Sequence, residues 1–431
     1  FKINQILFSK VMILWCLLGI VVGVIFGIIP GAGPFLAIAT LYPLLALGDV
    51  VSIVTFYVCL LITSNYMNSI TGILYGIPGD AAAAVTAHYG HKLLREGKGH
   101  MAVSNNAISS SIGSLFAVGL FIAFLPNIYS IFKFYNSTIQ VVIIAVAILL
   151  LMLFSKQAIW KTVILFLLGG VLAKIGFDNL THTTWGTFGI DYLTLGIPFS
   201  SIMIGLYILP EVLKFQNVEF KSIQKITKFG YSFKSLPSTL TGSFIGFWCG
   251  LVPGVTNILG SYLSASFAKQ DINKIAASEA ANNSGALSSL LPLIVLGIPI
   301  VSSEVLIYYL VASKGFTFNI DSMNSFYSVL YYIPVTVIIC LLLSWLGFNH
   351  LAAVTAIYKK YKIWFSVGII LAITLISLNT YPVREWLLVC IIGTAALGYF
   401  IRNWDTFPVL YGYFLTDLFW DNFRRVLVIY S

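Results

Sequence analysis

Gly19, Gly23 and Gly27 stand four residues apart and run into Pro30-Gly31; 223 positions later Gly242, Gly246 and Gly250 repeat that spacing before Pro253-Gly254. Residues four apart share one face of a helix, and a glycine face lets a second backbone approach closely. Proline has no N–H with which to continue a helix, so each of these helices breaks inside an apolar run. Backbone groups freed in hydrocarbon find no water, and such a break survives only when buried in protein or lining a polar cavity. Paired breaks at corresponding places in the two halves of an apolar chain point to the binding site of a secondary transporter. Read as packing faces and kinks alone, the same residues need no ligand.

The solvent of this chain is lipid. Of its 431 residues 59% are hydrophobic and 9% charged, where soluble domains carry about 25% charged residues. The mean hydropathy is +0.94. About a dozen apolar segments follow one another. Some are too short to span a bilayer singly and suit half-helices or re-entrant segments. The expected fold is therefore all-α: a polytopic membrane protein of two repeats with broken or re-entrant helices, inverted rather than parallel. The divisions are residues 1–213 for the first repeat, 214–236 for a basic linker and 237–431 for the second repeat with the C-terminal spans. The linker carries Lys214, Lys221, Lys225, Lys228 and Lys234 against Glu219, which predicts a cytoplasmic position.

The net charge of +9 is what basic loops on one membrane face produce. No arginine-rich, aromatic-interleaved soluble segment accompanies it, which argues against nucleic acid as a partner. Cys16, Cys59, Cys249, Cys340 and Cys390 are odd in number and lack CxxC spacing, as expected without a disulfide framework or a zinc site. His88 and His91 lie three apart in a basic loop and read as solvated, so no metal or other resident cofactor is expected. An embedded enzyme would need clustered acids or histidines, and none stand in a paired or HExxH arrangement. A channel with re-entrant loops lining a pore is the alternative.

The breaks are dressed with neutral polar residues. Asn68, Ser69 and Thr71 precede Pro78-Gly79, and Thr86 follows it; Asn257 follows Pro253-Gly254, and Asn282 and Asn283 precede Pro299. A half-helix N-terminus offers N–H groups and a positive dipole end to an anion. Unwound carbonyls with Asn, Ser and Thr oxygens suit a small hard cation. The candidate substrate-binding residues are thus Pro30, Gly31, Pro78, Gly79, Pro253, Gly254 and Pro299 at the breaks, with the Asn, Ser and Thr residues above. No Arg or Lys lies inside the break segments, so an anionic substrate needs helix ends, backbone N–H groups and a coupling Na⁺ or H⁺. Glu279 completes the set. An acid within the membrane points to function, whereas on an interfacial loop near Asp271 and Lys274 it would be ordinary. Asn282-Asn283 would equally serve as inter-helix glue.

At these breaks the chain resembles the large integral-membrane subunit, TctA type, of tripartite tricarboxylate transporters. The likeness is carried by Gly27-Ile28-Ile29-Pro30-Gly31-Ala32-Gly33-Pro34, by Tyr66 through Gly79 and by Gly205-Leu206-Tyr207 with Pro210-Glu211-Val212-Leu213. In the second half it is carried by Gly250-Leu251-Val252-Pro253-Gly254, Glu279-Ala280-Ala281-Asn282-Asn283 and Leu296-Gly297-Ile298-Pro299. It covers roughly residues 15–320 in order. The resemblance implies a non-enzymatic secondary carrier in the bacterial inner (cytoplasmic) membrane, importing a small carboxylate driven by a Na⁺ or H⁺ gradient. It also implies two partners beside membrane lipid: a small four-span membrane subunit and a periplasmic solute-binding protein. No Walker-type loop is present, as expected of uptake without ATP.

Overall fold

A computed structural model describes residues 2–29, 33–76, 80, 82–132, 137–153, 157–178, 183–209, 229–252, 256–318, 325–346 and 383–406, with scattered positions from 364 to 378 and from 408 to 426. The described chain is helical apart from one two-stranded ribbon, as expected of an all-α membrane protein. By contact it forms two compact units, each drawing on both ends of the sequence: Phe1–Ile38, Leu45–Tyr129 and Phe215–Phe365 in one, Ala39–Leu44, Ser130–Lys214 and Ser366–Ser431 in the other.

The first unit contains α1 (Lys2–Gly27), the start of α2 (Gly33–Leu45), α3 (Val50–Tyr75), α4 (Ala84–Arg95) and most of α5 (Gly99–Phe132). Segments of Lys10–Gly27, Val50–Tyr75, Gly99–Phe124 and Tyr327–Leu346 are long and apolar enough to cross a membrane. Each boundary has a local cause. Asp49 caps α3, accepting the Ser52 N–H at 3.0 Å and so satisfying an orphan donor. At the other end Gly76, at φ 71°, adopts the left-handed conformation and returns its N–H to Gly72 O at 2.8 Å, the usual glycine stop.

The second half of the sequence adds further helices to this unit. Numbered on from the other unit's helices, they are α9 (Leu236–Gly250), α10 (Thr256–Ser266), α11 (Asp271–Ser288), α12 (Leu290–Leu296), α13 (Ser302–Ala312), α14 (Tyr327–Leu330) and α15 (Tyr332–Leu346). Together α11 and α12 run from 271 to 296, as α3 runs from 50 to 75, and Gly297 ends them at φ 67°. Gly33 at φ 40° opens α2, and Thr256 at φ 55° opens α10. A β-branched residue in that region is strained by about 1 kcal/mol or more, so surrounding structure must hold the start of α10 in place.

The glycine faces meet backbone in both halves. A Cβ on Gly19 would lie 2.5 Å from Phe56 O, and Cβ atoms on Gly23 and Gly27 would press on Leu60 O and Ser64 O. Gly242, Gly246 and Gly250 face Ala277, Ala281 and Gly285 in the same way. Both series ascend together, so α1 runs parallel to α3 and α9 parallel to α11. Opposite faces of α1, α9 and α15 show large apolar residues outward, such as Leu14, Val21, Phe244, Trp248 and Ile338, as lipid-facing helices do.

The second unit is built from α6 (Ser137–Leu153), α7 (Ile159–Lys174), a ribbon of β1 (Gly176–Asp178) and β2 (Thr183–Trp185), α8 (Phe199–Ile202) and α16 (Arg384–Phe400). A wide helical turn, Met203–Ile208, extends α8. There Thr394 of α16 donates to Ser201 O at 2.7 Å, and a Cβ on Gly205 would strike α16. Of the expected basic linker, residues 214–228 lie outside the described residues.

Candidate functional site

Glu279 sits in the middle of α11 and is fully buried, so it belongs to the protein interior and not to an interfacial loop. Three hydroxyls from three helices donate to its carboxylate: Ser69 of α3 at 2.8 Å, Ser110 of α5 at 3.2 Å and Thr86 of α4. No ion pair joins a described basic side chain to Glu279. A buried charge without a counter-charge costs several kcal/mol in effect, a cost that the three hydroxyl donors offset in part.

Small residues make the convergence feasible. A Cβ on Gly113 of α5 would meet Ala280 Cα at 2.8 Å, so α5 and α11 touch through their backbones beside Glu279. Gly72 of α3 sits against Ala87 of α4 in the same manner. Further out, Tyr89 OH accepts from Lys274 Nζ at 3.1 Å and Lys92 pairs with Asp271 at 2.8 Å. The seam between α4 and α11 thus passes from an exposed ion pair to a buried carboxylate.

The other expected site residues divide. Asn283 lies one turn from Glu279 and donates Nδ2–H to its backbone oxygen at 3.1 Å. Asn257, at the start of α10, donates to Asn282 Oδ1 at 2.6 Å, leaving the buried Asn282 Nδ2 without a partner among the described residues. Asn68 turns to Asp80, donating at 3.1 Å. Thr71 donates to Ile28 O at 3.4 Å, near the end of α1. Pro299 is buried after the Gly297 turn. Pro30, Gly31, Pro78, Gly79, Pro253 and Gly254 lie outside the described residues.

Two carboxylates beyond the expected set occupy helix starts. Asp80 Oδ1 accepts the Ala83 N–H at 2.9 Å just before α4. Glu304, fully buried in the first turn of α13, accepts N–H groups from Ile300 at 2.6 Å and Val301 at 3.2 Å. Its other oxygen accepts from Ser289 at 2.6 Å. Ser289 stands 221 positions after Asn68, so each half holds its acid through the same place on its long helix. These two helix starts are therefore already answered by the protein's own acids. Ser110 and Glu304 both carried a signal. Ser109-Ser110-Ser111 interrupts an apolar span, and Glu304 is an acid in one.

A helical chain with several helices long and apolar enough to cross a membrane is a polytopic membrane protein. The chain belongs to the tripartite tricarboxylate transporter TctA family, whose model matches residues 13–410. It is 26% identical over 450 residues to an uncharacterised 52.8 kDa protein from the TAR-I ttuC' 3' region of Agrobacterium vitis, covering 98% of this chain and 88% of that one. It is also 26% identical over 379 residues to an uncharacterised protein of Methanocaldococcus jannaschii, covering 86% of this chain and 88% of the other. No solved structure matches the chain.

Proposed function

We propose that this chain is the carrier of a three-part uptake system. It takes a small carboxylate from a periplasmic binding protein, works beside a small four-span membrane subunit and is driven by a Na⁺ or H⁺ gradient across the bacterial inner membrane. The observation that carries the reading is the buried Glu279, held by hydroxyls of α3, α4 and α5 without a basic partner among the described residues. A fixed negative charge of this kind makes cation binding favourable, and a bound cation in turn makes room for an anion nearby. The anion's place is the start of α10, where Asn282 Nδ2 is a buried donor without a described partner and the helix end adds about 0.3–2 kcal/mol.

The repeats act as an inverted pair in this reading. Support comes from contacts that exchange between the halves: Cys16 of α1 meets Thr336 of α15, while Thr239 of α9, 223 positions after Cys16, meets Ser109 of α5. The corresponding long helices α3 and α11 run antiparallel, with Ser69 beside Glu279 and Val58 on one cavity wall with Leu287 and Leu291. Alternating access would then be rocking of one repeat against the other.

Reconstitution of the chain with its two partner subunits in liposomes tests the proposal. Labelled mono-, di- and tricarboxylates are offered under an imposed Na⁺ or pH gradient. Saturable, gradient-dependent uptake that requires the binding protein is the expected result. Uptake that is non-saturable and indifferent to gradients would identify a channel instead.

A further inference from the structure

The seam where α3, α5 and α11 meet stays polar beyond the Glu279 hydroxyl ring. Toward an apolar cavity lined by Val58, Ala117, Phe121, Leu287 and Leu291, α5 ascends with α11 and α3 descends. One helical turn along, in those directions, stand Ser114, Asn283 and Asn65, each four residues from Ser110, Glu279 and Ser69 and so on the same face. All three are buried. Ser114 Oγ, Asn283 Oδ1 and Asn65 Nδ2 have no hydrogen-bond partner among the described residues. An amide's O and N exchange by a simple flip, so Asn65 can equally present its oxygen.

We propose that Glu279, Ser114 and Asn283, with Asn65 at the rim, form a binding site for one Na⁺ ion per chain; as a coupling site it rests on the transport reading above. Three features select this ion. A proton would neutralise Glu279 but leave Ser114 Oγ and Asn283 Oδ1 unpaired, whereas a hard cation satisfies all of these oxygens together. A divalent ion would leave an uncompensated positive charge. Asp80 is already engaged by Ala83 N–H and Asn68. The backbone contact at Gly113 holds α5 against α11 beside the site, which favours Na⁺ over the larger K⁺.

The stoichiometry follows from the internal correspondence. The position 221 before Glu279 is Val58, and the position 221 after Ser69 is Leu290; both line the apolar cavity. The matching place is therefore apolar and, among the described residues, offers no acid for a second ion.

The test needs no substrate. The purified full-length chain is melted in NaCl, KCl and choline chloride at equal ionic strength, and ²²Na⁺ binding is counted at equilibrium. We expect a melting temperature that rises and saturates with Na⁺ alone, and one ion bound per chain. Ser114→Ala and Asn283→Ala should each weaken apparent Na⁺ affinity at least tenfold, and Glu279→Gln should abolish binding. Equal stabilisation by K⁺ or choline would overturn the site, and this comparison uses only wild-type protein. So would undiminished Na⁺ binding by the Ser114→Ala, Asn283→Ala double variant. Specific Na⁺ binding by a chain that transports no carboxylate would support the site while removing the transport reading.

Discussion

Ser69 of α3 donates its hydroxyl to the Glu279 carboxylate of α11 at 2.8 Å, although 210 positions separate the two residues. This bond ties α3 to α11 at a fully buried acid, a costly group in a membrane interior. Ser110 completes it from a third helix at 3.2 Å.

Ser69→Ala and Ser110→Ala each remove a donor to a buried acid. The expected loss is about 1.5–3 kcal/mol for each, read as lower thermal or denaturant stability in detergent. The double variant should fall short of the sum, because both donors serve one carboxylate.

Gly246→Ala should destabilise strongly, since its Cβ would overlap the Ala281 backbone. Gly19→Ala, facing Phe56 O at 2.5 Å, should do the same; overpacking of this kind costs about 1–3 kcal/mol. Gly119→Ala, with nothing within 4 Å, should be neutral or mildly stabilising. Melting temperatures of the three purified variants check the order.

Glu304 separates two roles for an acid near a helix start. Glu304→Gln keeps a carbonyl oxygen for the Ile300 and Val301 N–H groups and should leave a folded protein. Glu304→Ala orphans both donors, at about 1–3 kcal/mol each. Proteolysis after the Gly297-Ile298-Pro299 turn should accelerate in the Ala variant and not in the Gln variant.

Lys92 and Asp271 are a surface pair, with side chains 56% and 26% exposed. The hydrogen bond from Lys92 to Asp271 and the acid's charge hold the lysine's pKa above its ordinary value. A raised lysine pKa means any stabilisation is present at neutral pH and fades as pH rises through the folded value. Water and salt screen it. Lys92→Ala should therefore leave the melting temperature within a degree or so of wild type (about the shift expected for a minor surface change). A large loss, persisting in high salt, would show that the pair carries structural weight beyond a screened surface contact.

Much of this protein was written in its sequence because the constraints involved are local. Lipid solvation follows from composition, and the helix stops at Gly76-Ile77-Pro78 and Gly297-Ile298-Pro299 follow from glycine's left-handed freedom and proline's missing N–H. Glu279 stood out because an acid in an apolar segment is costly wherever it lies. Which groups meet that acid was decided by tertiary structure alone. Ser110, 169 positions from Glu279, comes to it because Gly113 lets α5 touch α11. Asn68, expected at the same site, turns to Asp80 instead. Helical periodicity fixes the face a side chain occupies, but small residues on several faces permit several partners. The choice among them is made only when all the helices pack at once.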